Sequence, residues 1–144
     1  MSGPGSERIY SKAFTQRGIG DIVKWDVLPV QDGERLRLVF ESTNATMRQG
    51  VFLKCDRGIE IDGACHASVS LWADTAPGTV AFTCRSFDAK LSVYNIWEDR
   101  GRRSSQAHSS GMRVEEIAGG RRYRCNDIGF ETAFDKIVFR IERE

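Results

Sequence analysis

The sequence lacks most of the features that identify common functional classes. It contains two histidines and three prolines in 144 residues, and it has no uninterrupted apolar run of about 18 residues, the length that a transmembrane helix needs. Residues 1–8 are small and polar and lack the basic and apolar segments of a secretory signal. These absences predict a soluble, cytoplasmic protein with no membrane partner.

Motifs for nucleotide and metal chemistry are also missing. Gly18-Ile19-Gly20 lacks the third glycine and the following helix of a dinucleotide-binding loop, and neither a phosphate-binding loop nor an H-E-x-x-H zinc motif occurs. His66 and His108 are too few and too far apart for the histidine-rich metal site of a cupin-type barrel. No metal and no cofactor are therefore expected.

The four cysteines do not form a C-x-x-C pair, the spacing that favours zinc. In a reducing cytoplasm we expect free thiols, whereas export would allow two disulfides in any of three pairings. Cys125 follows several arginines, which makes it the best candidate for a reactive thiolate. The favoured alternative is that Cys125 shares the inward face of a strand with Tyr123. The full set is Cys55, Cys65, Cys84 and Cys125.

The dominant periodicity of the sequence is two, as in half-buried strands. In residues 34–41, Leu36, Leu38 and Phe40 alternate with polar positions, and residues 136–142 repeat this pattern. β-Branched and aromatic residues, which favour strands, predict further strands at residues 67–72, 79–84 and 91–97.

Turn residues predict how these strands are connected. Asp32-Gly33 and Asp56-Arg57 each fit a hairpin between the strands on either side. Residues 118–120, Ala-Gly-Gly, predict a third hairpin.

Short strands spaced roughly 8 to 12 residues apart, without a long amphipathic helix, are typical of an all-β domain. We predict an antiparallel β-sandwich or jelly-roll of about eight to eleven short strands, with at most one or two short helical turns. The strand pattern does not distinguish a sandwich from a barrel. Residues 1–8 are expected to form a flexible leader and residues 9–144 a single β-sandwich domain.

Aromatic and polar residues occur together near the ends of two predicted strands. Sugar-binding β proteins pack an aromatic ring against the CH groups of a pyranose, and bind its hydroxyls through amides and carboxylates. The alternative is that the tryptophans complete the core and the polar residues form turns. The predicted ligand-binding residues are Trp72, Asp74, Tyr94, Asn95, Trp97 and Asp99.

Arginine is concentrated in one part of the chain. Residues 100–124 contain seven arginines and two glutamates, a local charge of +5 in a chain whose net charge is +1. Because the whole chain is nearly neutral, nucleic acid is not expected as a partner. The arginines either form an anion patch or pair with carboxylates on neighbouring strands. The predicted patch comprises Arg102, Arg103, Arg122 and Arg124.

Three functions from different classes remain open. The first is a non-catalytic β domain that binds a small polar or carbohydrate-like ligand. The second is a structural domain that forms a homo-oligomer or binds a partner through an edge strand. The third is a cysteine- or metal-dependent enzyme.

Overall fold

The computed structural model of the protein describes residues 8–144. In this part of the chain there are eleven strands and one short helix, in the order β1 (Ile9–Tyr10), α1 (Lys12–Gln16), β2 (Val23–Pro29), β3 (Arg35–Thr43), β4 (Arg48–Ile61), β5 (Ala64–Trp72), β6 (Thr79–Arg85), β7 (Lys90–Asp99), β8 (Arg102–Ser104), β9 (Gly111–Ile117), β10 (Gly120–Asn126) and β11 (Ile137–Arg143). Apart from Arg8, the leader predicted at residues 1–8 lies outside the described residues.

Hydrogen bonds between strands close the sheet into an eight-stranded barrel. The ring runs β2–β9–β10–β11–β3–β6–β4–β7, and β7 pairs back with β2. The strands β1, β5 and β8 lie outside the ring and pair with β2, β4 and β7. The ring is least complete between β2 and β9, which share the single residue pair Val23 and Met112.

The barrel corrects the finer part of the fold prediction. An all-β domain is confirmed, but the sheet forms one closed ring where a sandwich or jelly-roll was expected. An alternating strand buries one face in a sandwich and in a barrel alike, so periodicity alone does not separate them.

The alternating strands supply the interior of the barrel. Leu36 and Leu38 of β3 and Ile137, Phe139 and Ile141 of β11 have no exposed surface. Burying each such side chain contributes roughly 1.5 to 3 kcal/mol. These residues belong to one continuous core, and the terminal strand predicted at residues 136–142 is confirmed as β11.

The hairpin predicted at Asp56-Arg57 is wrong, because β4 runs without a break through these residues. The first half of β4 pairs with β7 and its second half pairs with β6, while β5 lies along its other side. Gly58, with a φ of +115°, provides the backbone conformation for the irregular step between the two halves. The turn of this hairpin lies at Asp62-Gly63, between the end of β4 and the start of β5.

The turn predicted at Asp32-Gly33 exists, but it does not form a hairpin. β2 pairs with β7, whereas β3 pairs with β6 and β11. The Gly33 amide donates to the carbonyl of Cys84 at 2.8 Å, and the Cys84 amide donates to the carbonyl of Glu34 at 2.9 Å. The turn is thereby bonded to β6 and directs the chain from one part of the ring to another. The third predicted hairpin is confirmed between β9 and β10.

Candidate functional site

An open cleft of about 450 Å³ lies where the ends of β3 and β4 meet the segment after β5. We call it the end cleft. Its lining combines hydroxyl, amide and charged side chains with four apolar ones, which suits a small polar ligand. The lining includes Phe40, Ser42, Thr43, Thr46, Met47, Arg48, Gln49 and Asp74.

Arg48 organises the rim of the end cleft. Its Nε donates to Asp74 Oδ1 at 2.8 Å, its Nη1 to Glu98 Oε2 at 3.3 Å and its Nη2 to Thr75 Oγ1 at 3.3 Å. The hydrogen bond with Asp74 is the main reason that the pKa of Arg48 is raised above its ordinary value. The guanidinium also lies 4.4 Å from the centre of the Trp72 ring. Arg48 thus contacts both Asp74 and Trp72, two of the predicted ligand-binding residues, at one rim of the end cleft.

Trp72 is fixed from its other side by a glycine. A Cβ atom at Gly50 would lie 2.9 Å from Trp72 Cε3 and 2.7 Å from the carbonyl oxygen of Leu71. Because glycine has no Cβ atom, the indole of Trp72 can lie against the backbone of β4 at Gly50. The indole is therefore held between the backbone of β4 and the guanidinium of Arg48.

Gln49 places a buried amide in the lining of the cleft. It is 3% exposed, and its Nε2 donates to Asp127 Oδ2 at 2.9 Å and to the carbonyl of Met47 at 3.2 Å. These two acceptors fix the amide nitrogen, which leaves Oε1 as the free group. Oε1 has no hydrogen-bond partner among the described residues. An unpaired buried acceptor of this kind costs roughly 1 to 3 kcal/mol.

Further buried polar groups lie next to Gln49. Asn95 Nδ2 donates to the carbonyl of Asn126 at 3.1 Å, and Asn126 Nδ2 donates to the carbonyl of Ser109 at 3.0 Å. The Oδ1 atom of Asn126 is also buried without a partner in the described part of the chain. We call this set the Gln49 cluster, consisting of Gln49, Asn95, Asn126 and Asp127.

A second buried polar cluster surrounds Asp26, which has no exposed surface. Its Oδ1 accepts from Arg8 Nε at 2.8 Å, and its Oδ2 accepts from Arg121 Nη1 at 3.0 Å and from the Tyr123 hydroxyl at 2.6 Å. Burial, and next the charge of Asp26, raise the pKa of Tyr123 well above its usual value of 10.0. The phenol therefore stays protonated as a donor. We call these four residues the Asp26 cluster.

Four of the six predicted ligand-binding residues lie close to the end cleft, and two do not. Asp74 lines the cleft and Trp72 lies under Arg48, whereas Trp97, 1% exposed, is buried beside Gln49 across the β4 and β7 pairing. Asn95 belongs to the Gln49 cluster. The other two are placed elsewhere, since Tyr94 stacks on Phe52 at 4.6 Å on the outer wall and Asp99 faces Arg102 in the β7 and β8 hairpin.

Sequence reasoning did not find the residues that give the site its chemistry. Arg48 and Gln49 begin β4, and Asn126 ends β10 just before Asp127. Polar residues at a strand boundary resemble ordinary turn residues, so their sequence positions gave no indication that the fold brings them together.

The four arginines of the predicted anion patch lie on two different parts of the barrel. Arg102 and Arg103 are on β8, whereas Arg122 and Arg124 are on β10 between β9 and β11. Arg122 pairs with Glu41 at 3.0 Å, and Arg124 forms a close ion pair with Glu115. The structure therefore does not unite the four. Arg124 pairs with a carboxylate on the neighbouring strand β9, and Arg122 pairs with one on β3, beyond β11.

The cysteines are free thiols in the structure, and three of them are buried. Cys125 has no exposed surface, and burial raises its pKa well above the usual value of 9.0. Tyr123 and Cys125 share the inward face of β10. A raised pKa disfavours the thiolate that nucleophilic catalysis requires.

Among residues 8–144, no three His, Cys, Asp or Glu side chains are grouped closely enough to hold a metal ion. In the same residues, no helix has both the length and the apolar character that crossing a membrane requires. No protein-family model and no curated protein matches this chain.

Proposed function

We propose that this chain binds a small, neutral, hydroxyl-bearing ligand in the end cleft and performs no chemistry on it. A carbohydrate-like molecule of one or two rings fits a cleft of about 450 Å³. The cytoplasmic location expected from the sequence is part of the same proposal.

The observation that carries this proposal is the unpaired Oε1 of Gln49. A buried acceptor without a donor is rare in folded proteins, because its desolvation is not compensated. The oxygen is covered in the structure, so a ligand hydroxyl in the end cleft must displace the side chains over it, and donation to the oxygen would then remove the penalty. The end cleft therefore offers a binding contribution that an already satisfied surface cannot offer.

The rest of the cleft suits hydroxyl groups better than a net charge. Ser42, Thr43 and Thr46 supply hydroxyls, and Asp74 retains lone pairs after it accepts from Arg48. The Arg48 guanidinium is already shared among three acceptors, so it is not free to bind a strong anion. Phe40 and Met47 provide the apolar surface that the CH groups of a sugar ring need.

Tryptophan fluorescence tests the proposal, because Trp72 lies directly under Arg48. We expect a neutral sugar panel, including glucose, galactose, mannose and their disaccharides, to contain a ligand that shifts the emission in a saturable way. The response should persist in Trp25→Phe and disappear in Trp72→Phe. A panel that leaves the emission unchanged at tens of millimolar would contradict the proposal.

Two variants, each of which breaks one surface ion pair, test whether the ligand binds in the end cleft. Asp74→Ala removes a lining carboxylate and should weaken binding about tenfold or more, as expected for one lost hydrogen bond to a charged group. Glu60→Ala breaks a comparable surface pair with Arg85 outside the end cleft and should leave affinity unchanged. Equal effects of the two variants would show that binding occurs elsewhere.

The edge of β5 supports a second function, the formation of a homo-oligomer. β5 pairs with β4 along one side, and no other strand of the described residues pairs with it. Its nine residues contain no Lys, Arg, Asp, Glu or Pro, and residues 64–68 are all exposed. Natural edge strands usually carry charges or proline that prevent pairing with another chain.

Light scattering over a range of concentrations tests this second function. We expect a dimer mass for the unaltered chain and a monomer mass for Ser68→Lys, which introduces a charge at the edge. Ala118→Lys, in the exposed turn between β9 and β10, is the matched control and should remain dimeric. A monomer mass for the unaltered chain at all concentrations would exclude pairing through β5.

A further inference from the structure

A larger cleft lies on the outer wall of the barrel, away from the end cleft. Its volume is about 570 Å³ and it shares no lining residue with the end cleft. Strand register places Val27, Ser92 and Lys54 side by side across β2, β7 and β4. Trp25 precedes Val27 by two residues and also lines this cleft. We call it the outer groove, and the residues that matter to it are Trp25, Val27, Lys54, Asp56, Asp88 and Ser92.

Trp25 gives the outer groove a rigid aromatic side. The indole is half-buried, and its centre lies 4.9 Å from that of Tyr94, which stacks on Phe52 at 4.6 Å. These neighbours restrict the rotation of the indole, so a ligand that packs against it loses little side-chain entropy. A flat apolar ring face, such as that of a pyranose, matches this surface.

The charges of the outer groove are not equally available. Asp56 accepts from the Phe87 amide at 3.0 Å, and Asp88 accepts from the Ser86 hydroxyl at 2.8 Å. Lys54 is exposed and has no carboxylate within ion-pair distance among the residues described. Lys90 lines the groove as a second cation. The ammonium of Lys54 is a charge open to a ligand anion, while Asp56, Asp88 and Ser92 can still accept hydroxyl protons.

We infer that the outer groove binds an acidic sugar, a pyranose that carries one carboxylate. The ring packs on Trp25, the carboxylate pairs with Lys54, and the ring hydroxyls donate to the acceptors beside it. This site differs from the end cleft in ligand charge, because Lys54 is unpaired whereas Arg48 is shared among three acceptors.

Glucuronate is the probe, with glucose and benzoate as comparators that lack the carboxylate and the hydroxyls respectively. Amide chemical shifts measured by NMR should change at Trp25, Lys54 and Ser92 on addition of glucuronate. We expect glucuronate to bind about tenfold more tightly than either comparator, the usual advantage of a charge-assisted hydrogen bond. Added salt should reduce that advantage.

Two variants and a control test the roles of the residues. Lys54→Met keeps the length of the side chain and should reduce glucuronate affinity to that of glucose. Lys12→Met, which removes an exposed lysine on α1, should have no effect. Trp25→Phe should keep the fold and weaken the binding of glucuronate in the outer groove.

Specific outcomes would overturn the inference. Benzoate binding as tight as glucuronate binding would rule out hydroxyl recognition, and an unchanged affinity in Lys54→Met would rule out the ion pair. Absence of shifts at Trp25 and Ser92 would rule out the groove itself. Shifts at Arg48 and Gln49 report on the end cleft separately, so failure of one site is distinguishable from failure of the other.

Discussion

The two buried polar clusters of the barrel differ in how completely their atoms are paired. In the Asp26 cluster, both carboxylate oxygens accept hydrogen bonds, from two arginines and a tyrosine. The Arg121 Nε makes no hydrogen bond among the described residues, but it lies 2.8 Å from Glu116 Oε2 in an ion pair. In the Gln49 cluster, the amide nitrogens are bonded but two amide oxygens are not. Asp26 and Tyr123 are as fully buried as the Gln49 cluster, whereas the side chains of Arg8 and Arg121 are 25% and 15% exposed.

This difference separates a structural role from a binding role. A buried charge whose partners are all present stabilises one arrangement of the chain and strongly resists the loss of any partner. A cluster with open acceptors is stable enough to form but gains when a donor arrives. The Asp26 cluster should therefore govern unfolding, and the Gln49 cluster should govern ligand affinity.

Removal of Asp26 should have the largest effect on stability. Asp26→Ala leaves the guanidinium of Arg121 and the hydroxyl of Tyr123 without their buried partner, which should lower the free energy of unfolding by about 3 to 5 kcal/mol. Urea denaturation measures this. Asp74→Ala, which breaks an exposed pair, should change it far less. An equal decrease in the free energy of unfolding in the two variants would show that the Asp26 cluster stabilises the fold no more than an exposed ion pair does.

Removal of one donor to Asp26 should have an intermediate effect. Tyr123→Phe keeps the ring stack on Phe139 and deletes one hydrogen bond to a charged group, which should cost about 1.5 to 3 kcal/mol. Because the folded-state pKa of Tyr123 is raised, its contribution is complete below pH 10 and is lost as the pH rises further. Stability measured above pH 10 should therefore fall less steeply in Tyr123→Phe. An identical alkaline profile would contradict this.

A substitution in the Gln49 cluster should affect binding more than stability. Gln49→Met removes the hydrogen bonds to Asp127 and to the carbonyl of Met47 but also removes the unpaired oxygen, so the net cost should be about 1 to 2 kcal/mol. The fluorescence response to the neutral sugar should be lost. If the variant is strongly destabilised and still binds, the roles assigned to the two clusters are reversed.

A substitution in the exposed ion pairs of Glu41 should have the smallest effect on the free energy of unfolding. It provides a reference against which the variants of the two clusters are compared. Burial would raise the pKa of Glu41, but the hydrogen bonds and charges of Arg122 and Arg140 outweigh it and lower the pKa below 4.5. Its contribution is therefore present above pH 4.5 and is lost as the pH falls through the lower folded-state pKa. Glu41→Gln should remove a pH-dependent stability of less than about 1 kcal/mol. Acid titrations that are the same in both proteins would exclude this contribution.

The sequence is sufficient to predict strands but not their partners. Alternation in β3 and β11 reflects burial of one strand face, which is local information. The pairing of β2 with β7 depends on contacts between residues more than sixty positions apart. An Asp-Gly pair such as Asp32-Gly33 is compatible with a hairpin and with a turn between strands that do not pair. Which of the two forms depends on the pairing of the other strands in the ring.

The same limit applies to the site. Trp72 and Asp74 are recognisable as a local combination of aromatic and polar residues, and they do lie at one rim. The neighbouring residues Tyr94 and Asn95 point to opposite faces of β7, so one is on the outer wall and the other in a buried cluster. Gln49 meets Asp127 only because β4 and the end of β10 approach in the folded barrel.

The single backbone pair between β2 and β9 gives the barrel a seam. The ladder there is minimal, so the ring is held at this point by side chains, because Asp26 on β2 reaches across to Arg121 and Tyr123 on β10. Local opening should therefore begin at the seam, and amides near Val23 and Met112 should exchange with deuterium sooner than those of β4. The Asp26 cluster thus keeps the barrel closed where its backbone hydrogen bonding is weakest.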